Sequence, residues 1–369
     1  MRAAVYHGNR DVRIEDVPEP VAGPGELLLR VTSSGICGTD AAEFSTGPRM
    51  FPITGRDPLT GHVGPMIPGH EVAGIVVAIG EGVVGFEPGA LVVTGAGISC
   101  GACARCLEGR TNLCERYATV GLQRNGGLAR FVAVPADTCF VAPPGLTHDA
   151  AALGQPMAIG VHSMRQGAPR AGDLALVIGA GGIGAFLTYA LAASGVRTLA
   201  ADLDDERLQI ARALGAETTL GRDATPLADA VHERAGEPDV VYEVTGTAPG
   251  AEAAMASVRP GGRVVAVGLH DHPREVDLRS LTLRELSIVG TNAHVVGDDL
   301  PEALRLLAAR AEPWSDVAPT ALSLDRLVPD GLEPLADGRS TRIKTLIDPW
   351  ADASRPTRMV AEEEHADAV

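Results

Sequence analysis

Apolar residues change rhythm along this chain. From residue 1 to about residue 150 they come in short runs such as "ELLLRVTSSGI", "VAGIVVAIG" and "GALVVTG", separated by Gly- and Pro-rich stretches. Runs of that length with such punctuation predict a β-rich domain carrying long loops. The opening "MRAAVYHGNRDVRIEDVPEP" reads as strand, turn, strand. Between residues 173 and 291 strand-length apolar runs alternate with helical periods. "DLALVIG" is a buried strand, "GIGAFLTYALAASG" a helix, "VRTLAAD" a strand, and "DERLQIARALGA" a helix closed by Gly215. "ETTL", "DVVYEVTG", "RVVAVG" and "LSIVGT" continue as strands, with "ATPLADAVHERAG" and "GAEAAMASVRPGG" as helices between them. Six short strands alternating with helices predict a parallel doubly wound sheet, an α/β class. A further helix ("DDLPEALRLLAAR") and strand ("TRIKTLID") follow. Residues 351–369, "ADASRPTRMVAEEEHADAV", have no period and read as a mobile acidic tail.

Composition narrows the function classes. The 369 residues carry a net charge of −16 and a pI near 5.0, against a nucleic-acid or anionic-membrane surface, which needs a positive field. No run approaches the ~18 apolar residues of a membrane span. The start lacks the apolar core of a signal peptide, so a cytoplasmic location is expected, where cysteines stay reduced. Lys344 is the single lysine. A P-loop Gly-Lys-Ser/Thr, a Schiff-base lysine in a buried helix and a Tyr-x3-Lys hydride-transfer pair are therefore absent from the chain.

"LVIGAGGIG" places Gly179, Gly181 and Gly184, with Gly182 and Ile183 between them, after a strand and at the start of a helix. Gly179 permits the tight turn, Gly181 lets backbone approach a pyrophosphate, and Gly184 allows close helix–strand packing. Asp202 ends the next strand about 20 residues on, where a carboxylate accepts from the adenosine ribose 2′-OH and repels a 2′-phosphate. NAD is therefore expected over NADP. Arg207 fits over the adenine, and equally a solvent-facing first turn. The alternative is a glycine turn that binds no dinucleotide.

Cys100, Cys103, Cys106 and Cys114 follow C-x2-C-x2-C-x7-C, four thiols within fifteen positions of a chain with six. Tetrahedral Zn²⁺ takes four thiolates in a closed shell, a staple for a loop too polar to bury itself. An iron–sulfur cluster or two disulfides are the alternatives. Cys139, in a strand-like run, reads as an ordinary buried cysteine. Cys37 in "GICGTD" and His70-Glu71 in "IPGHEVAG" form a candidate three-ligand set. A catalytic zinc has three protein ligands and an exchangeable position, where an alcohol would lose its proton more easily.

On "GICGTD", "PGHEVAG", "CGACARCLEGRTNLC", "VIGAGGIG" and "VRPGGRVVAVG", the chain from residue 1 to about 348 resembles the zinc-dependent medium-chain dehydrogenase/reductase family. The extended loop in "GPRMFPITGRDPLTGHVGPMIPGHE" and "ICGTDAAEF" make it most similar to the 2,3-butanediol, sorbitol and threonine dehydrogenase subgroup. The resemblance implies a GroES-like catalytic domain over 1–155 with a structural-zinc lobe at 98–116, an NAD-binding Rossmann domain over 156–293, and a return to the catalytic domain over 294–350. It implies NAD-linked oxidation of a secondary alcohol, often a vicinal diol or polyol, and a homodimer or homotetramer. By position, Cys37, His70 and Glu71 would hold a catalytic zinc and Thr39 would pass the substrate proton. Asp202 would bind ribose, and the four clustered cysteines would hold a structural zinc. Val267 and Gly268, at a strand's C-terminal end, would meet the nicotinamide.

Two positions depart from the family. Ala42 stands where relatives often carry a proton-relaying His, so the relay would run through Thr39, the ribose and water, or through Glu43. Gln155 in "LGQPMAIG" stands where subgroup relatives usually have a Glu on the metal or its water. Zn²⁺ with Cys⁻, neutral His and Glu⁻ is neutral; a further Glu⁻ would make it negative, and Gln155 does not. Gln155 can still offer a carbonyl oxygen as ligand or an N–H donor, and it would tune the site without abolishing it. His62 in the extended loop reads equally as a substrate-facing or a surface residue, His162 as a packed core residue, and His294, after the last strand near the expected nicotinamide, as packing ahead of catalysis. Competing functions keep the machinery for a sugar, an aminocyclitol or a biosynthetic intermediate reduced in the opposite direction, or dispense with turnover in a zinc-stapled dinucleotide binder.

Overall fold

Strand β1 (Glu26–Ile36) buries Leu27, Leu29 and Val31 and exposes Arg30, the period of two expected of a pleated strand. In this computed structural model, which describes residues 1–222 and 225–359, β1 runs straight into helix α1 (Gly38–Thr46). Cys37 is the N-cap, and the Asp40 carboxylate accepts its backbone N–H at 2.8 Å. β1 pairs antiparallel with β2 (Glu71–Ile79), which sets Gly35 opposite Glu71.

The chain divides into two compact units, Met1–Ala158 with the chain from His294 onward, and Ile159–Ala293. The first division falls inside helix α2 (Gly154–Gly167), three residues beyond the expected boundary at residue 155. A continuous helix carries no composition break to mark it.

The second unit is a six-stranded parallel sheet. In chain order it contains β3 (Leu174–Ile178), α3 (Gly182–Ala193), β4 (Arg197–Ala201), α4 (Asp205–Ala213), β5 (Thr218–Leu220), β6 (Val240–Glu243), β7 (Arg263–Ala266) and β8 (Ser287–Gly290). The strand order is β5-β4-β3-β6-β7-β8. The chain enters at β3, winds outward to β5, then returns to the other side at β6, so the order reverses between β3 and β6. Every residue of β3 is buried, while the edge strand β8 exposes Ser287 and Ile288. Leu174, Leu176 and Ile178 enter one apolar cluster and Ala175 and Val177 another, so both faces are covered, as a parallel sheet requires. The helix expected over 224–236 is Leu227–Ala235, and residue 224 lies outside the described residues.

Back in the first unit, β9 (Thr345–Asp348) joins the other edge of β1, with Leu346 opposite Gly35 and Thr345 opposite Ile36. β9, β1 and β2 are therefore neighbours, although β9 is separated from the other two by most of the chain.

Residues 351–359 are not a loose tail. Arg355–Pro356 pairs antiparallel with the strand Thr320–Ser323. The Arg355 guanidinium donates to Asp149 at 2.7 and 3.1 Å and to Asp348 at 2.8 Å. Asp149 is 1% exposed, and a carboxylate that deep requires a cation. That requirement sits 206 residues from Arg355 and is invisible in the local composition. The remainder of the expected tail, 360–369, lies outside the described residues.

Candidate active site

The junctions β1–α1 and loop–β2 bring Cys37, His70 and Glu71 together: one ligand atom of each lies within 4.8 Å of the others. His70 and Glu71 are buried, at 5% and 0% exposure, and Cys37 is half-buried. Glu71 fits because β1 offers Gly35 opposite it; a Cβ there would collide with Glu71 Oε2. His70 Nδ1, Glu71 Oε2 and Asp40 Oδ1 are buried without a hydrogen-bond partner. Unspent polar atoms around a thiol, an imidazole and a carboxylate fit a divalent cation with mixed S, N and O ligands.

Two further residues surround this centre. Asp40 lies 3.6 Å from His70 Nδ1, Oδ1 to nitrogen, while its Oδ2 takes the Cys37 N–H. It stands three positions after Cys37 in "CGTD", plainly visible but unremarkable in a helix's first turn. Lys344, one residue before β9, donates from Nζ to Glu71 Oε1 at 2.6 Å and to the Ile36 carbonyl at 3.3 Å. No local signal marks it, because its partner is 273 residues away.

Charges here are crowded. Burial works against a cationic His70, but Asp40 and then Cys37 outweigh it and raise its pKa well above the ordinary imidazole value. Burial likewise opposes a charged Lys344, and Glu71, Cys37 and Asp40 together raise its pKa. The centre thus recruits positive charge from protons where a metal would supply it, and metal binding would displace the imidazole proton.

Thr39 places its Oγ1 3.9 Å from Cys37 Sγ. Glu43 is not available as a relay: it is fully buried and its two oxygens accept the N–H groups of Arg49 and Met50 at 2.9 and 2.7 Å. Gln155, in the first turn of α2, is 8% exposed and has no hydrogen-bond partner among the described residues. His62 is half-buried on the extended loop, His162 is buried on α2, and His294 is buried with its Nε2 close to Gly95; none belongs to the three-ligand group.

Cys100, Cys103, Cys106 and Cys114 also converge. Their Sγ atoms stand 3.5 Å (103–106), 3.9 Å (103–114) and 4.0 Å (100–106) apart. Four thiolates about 2.3 Å from one zinc would stand about 3.8 Å apart, whereas a disulfide needs about 2.05 Å. All six cysteines are free thiols. Backbone N–H groups of Cys103, Arg116 and Cys100 point at these sulfurs at 3.2–3.4 Å. The Ala102 N–H, then that of Cys103, pulls Cys100 down to about 6, while burial and neighbouring thiols push Cys106 up to about 11.

In the second unit, the glycine loop follows β3. Gly179 has φ +101°, open to glycine, and a Cβ on Gly184 would collide with the Gly179 carbonyl. At Gly181 a Cβ would meet only Arg207 Nη1, at 3.6 Å, so that position stays open for a ligand. Gly182 and Ile183 begin α3. Asp202 follows β4, and its Oδ2 accepts the Ala180 N–H at 2.7 Å, which sets the carboxylate against the loop. Val267 and Gly268 follow β7 and donate to the Glu243 carbonyl at 2.8 and 2.9 Å. Sequence reasoning passed over Glu243. Its buried carboxylate takes the N–H groups of Thr245 and Gly246 and the His270 ring nitrogen at 3.1 Å, fixing the loops at this carboxyl edge.

Comparison with known proteins gives concordant matches. Residues 23–144 match the family described as alcohol dehydrogenase GroES-like domain, and residues 182–309 the family described as zinc-binding dehydrogenase. The (R,R)-butanediol dehydrogenase of Neisseria gonorrhoeae is 31% identical over 354 residues, 95% of this chain and 99% of that protein. Human sorbitol dehydrogenase is 30% identical over 351 residues, 94% of this chain and 95% of that one. The crystal structure of 2R,3R-butanediol dehydrogenase from Bacillus subtilis superposes with a TM-score of 0.86 at 30% identity, covering 94% of this chain and 99% of that one. A zinc-binding dehydrogenase from Sinorhizobium meliloti, solved bound to NADP, gives 0.84 at 27% identity, covering 94% and 99%.

Proposed function

The chain belongs to the zinc-dependent medium-chain dehydrogenase/reductase family of alcohol dehydrogenases, and on that premise we propose that it oxidises a secondary alcohol, a vicinal diol or polyol, to a ketone with NAD. The observation that carries this reading is the Cys37, His70 and Glu71 cluster with its unspent buried atoms, in a chain that also holds an acid-backed glycine loop. Zinc bound by those three residues would act as a Lewis acid on the alcohol oxygen. Glu71 and Cys37 supply the negative ligands, and Asp40 fixes the orientation of His70. Thr39 holds a hydroxyl beside Cys37, placed to pass the alcohol's proton on toward the ribose and water. Bound NAD⁺ would supply the hydride acceptor, so that alcohol and NAD⁺ give ketone, NADH and a proton. Gly181 and the α3 N-terminus would hold its pyrophosphate, Asp202 its ribose and Arg207 its adenine, while Val267 and Gly268 would line the nicotinamide.

Cys100, Cys103, Cys106 and Cys114 hold a second, structural zinc in this reading, giving two per chain. The charge at the open centre is balanced. Zn²⁺ with Cys⁻, neutral His and Glu⁻ is neutral, and the Lys344 ammonium on Glu71 offsets the buried Asp40 carboxylate beside His70. A cytoplasmic homodimer or homotetramer belongs to the same proposal, on the family resemblance.

The test is a screen of diols, polyols and hydroxyketones followed by NADH absorbance, with NAD and NADP compared and metal counted per chain. Turnover of a vicinal diol with NAD and two zincs is the expected result. One zinc without turnover would leave a dinucleotide binder.

A further inference from the structure

The geometry points to Lys344 as a built-in counter-ion of the open centre: it holds Glu71 in place when no cation is bound and loosens the centre's grip on the cation when one is. This rests on the reading of Cys37, His70 and Glu71 as a metal centre.

Lys344 is the only lysine in a chain whose 31 basic residues are otherwise all arginine. It is 4% exposed, and a buried ammonium requires compensation. Its partners are Glu71 Oε1 and the Ile36 carbonyl, the residue just before Cys37. The strand order explains the reach. β9 lies beside β1 and β1 beside β2, and Gly35 leaves the space between them free of a side chain.

Glu71 is therefore divided. Oε1 is spent on Lys344, and Oε2 is buried and unspent. Without Lys344 the empty centre would hold an unpaired buried carboxylate, which is strongly destabilising. With a divalent cation present, the ammonium becomes a like charge one carboxylate away. Repulsion at that range, in a desolvated site, weakens the cation's binding. Lys344 is a positioning residue: it acts through Glu71 and need not touch substrate.

The test uses the full chain loaded with zinc, titrated with a competing chelator, with release from the four-cysteine lobe as internal reference. Lys344→Met is expected to hold the zinc at Cys37, His70 and Glu71 about tenfold or more tightly than the unaltered chain, with release from the lobe unchanged. Zinc is also expected to raise its thermal midpoint by more than it raises that of the unaltered chain. Lys344→Arg, which keeps the charge, is expected to hold zinc as the unaltered chain does. A merely structural lysine would lower stability equally with and without zinc and leave the affinity alone. Equal or weaker zinc affinity in Lys344→Met overturns the inference. If Lys344→Met does not fold, Lys344→Gln, which keeps a donor to Glu71 without the charge, makes the same comparison. Failure of the unaltered chain to take zinc at the open centre is a different result, and overturns the metal-centre reading itself.

Discussion

The four-cysteine lobe and the open centre assemble their candidate metal ligands in opposite ways. The lobe draws all its ligands from residues 100–114, on turns and one short helix, with backbone N–H groups aimed at the sulfurs. The open centre draws on α1, the start of β2 and, through Lys344, the approach to β9. The lobe's geometry follows from local chain direction. That of the open centre follows from which strands are neighbours. A closed shell of thiolates leaves no position for chemistry, whereas three mixed ligands beside unspent polar atoms do. Position in the chain thus separates a staple from a site, and the two should respond oppositely to mutation.

The largest effect tests that opposition on the catalytic side. His70→Ala is expected to lower kcat/KM by about a thousandfold or more, because Lewis-acid stabilisation of the reacting oxygen is lost. Metal analysis should still find the lobe's zinc. Loss of both metals together would break the comparison.

Cys106→Ser is the mirror experiment. The lobe should lose its zinc, and with it part of the folding free energy that metal binding supplies, so the melting temperature falls by several degrees. Turnover per folded molecule should stay within about threefold. A loss as deep as that of His70→Ala would mean that the lobe supports the reaction directly.

Asp40→Asn sharpens the boundary between ligand and support. A carboxylate oriented toward a ligating imidazole contributes about 10- to 100-fold in metal affinity or activity. Asp40 also caps α1 through the Cys37 N–H, which asparagine's carbonyl can still accept. The loss should therefore appear in kcat and zinc retention with little change in melting temperature. A change in melting temperature alone would assign Asp40 to the cap.

The same contrast governs what could be read in advance. Six strands of the parallel sheet, the glycine loop and the cysteine spacing are local patterns, and each lies where its period or spacing puts it. Cys37, His70 and Glu71 were legible through the motifs around them. Lys344 was not: its role depends on β9 settling beside β1, a pairing no local pattern encodes. Arg355 was misread for the same reason, since its carboxylates arrive from residues 149 and 348. Glu43 looked like a relay because it closely follows the "GICGTD" motif, yet its oxygens are spent on the loop at Arg49 and Met50. Chemistry carried by short motifs is visible in one sequence; support assembled across strands is not.

Gln155 offers the smallest and most specific test. It is buried at the head of α2 with its amide unspent among the described residues. With Lys344 and Asp40 offsetting each other, the neutral amide of Gln155 leaves the zinc-loaded centre neutral. Gln155→Glu would make it negative by placing a carboxylate where the amide stands. A negative neighbour disfavours formation of an anionic oxygen, so the apparent pKa of the pH profile for alcohol oxidation should rise, by up to about one unit. Gln155→Leu removes the amide without adding charge, and should leave that pKa in place while raising KM if the amide contacts substrate. Profiles of kcat/KM against pH for the three proteins separate the cases. Coincident profiles for the unaltered chain and Gln155→Glu would mean that residue 155 lines the site without feeling its charge.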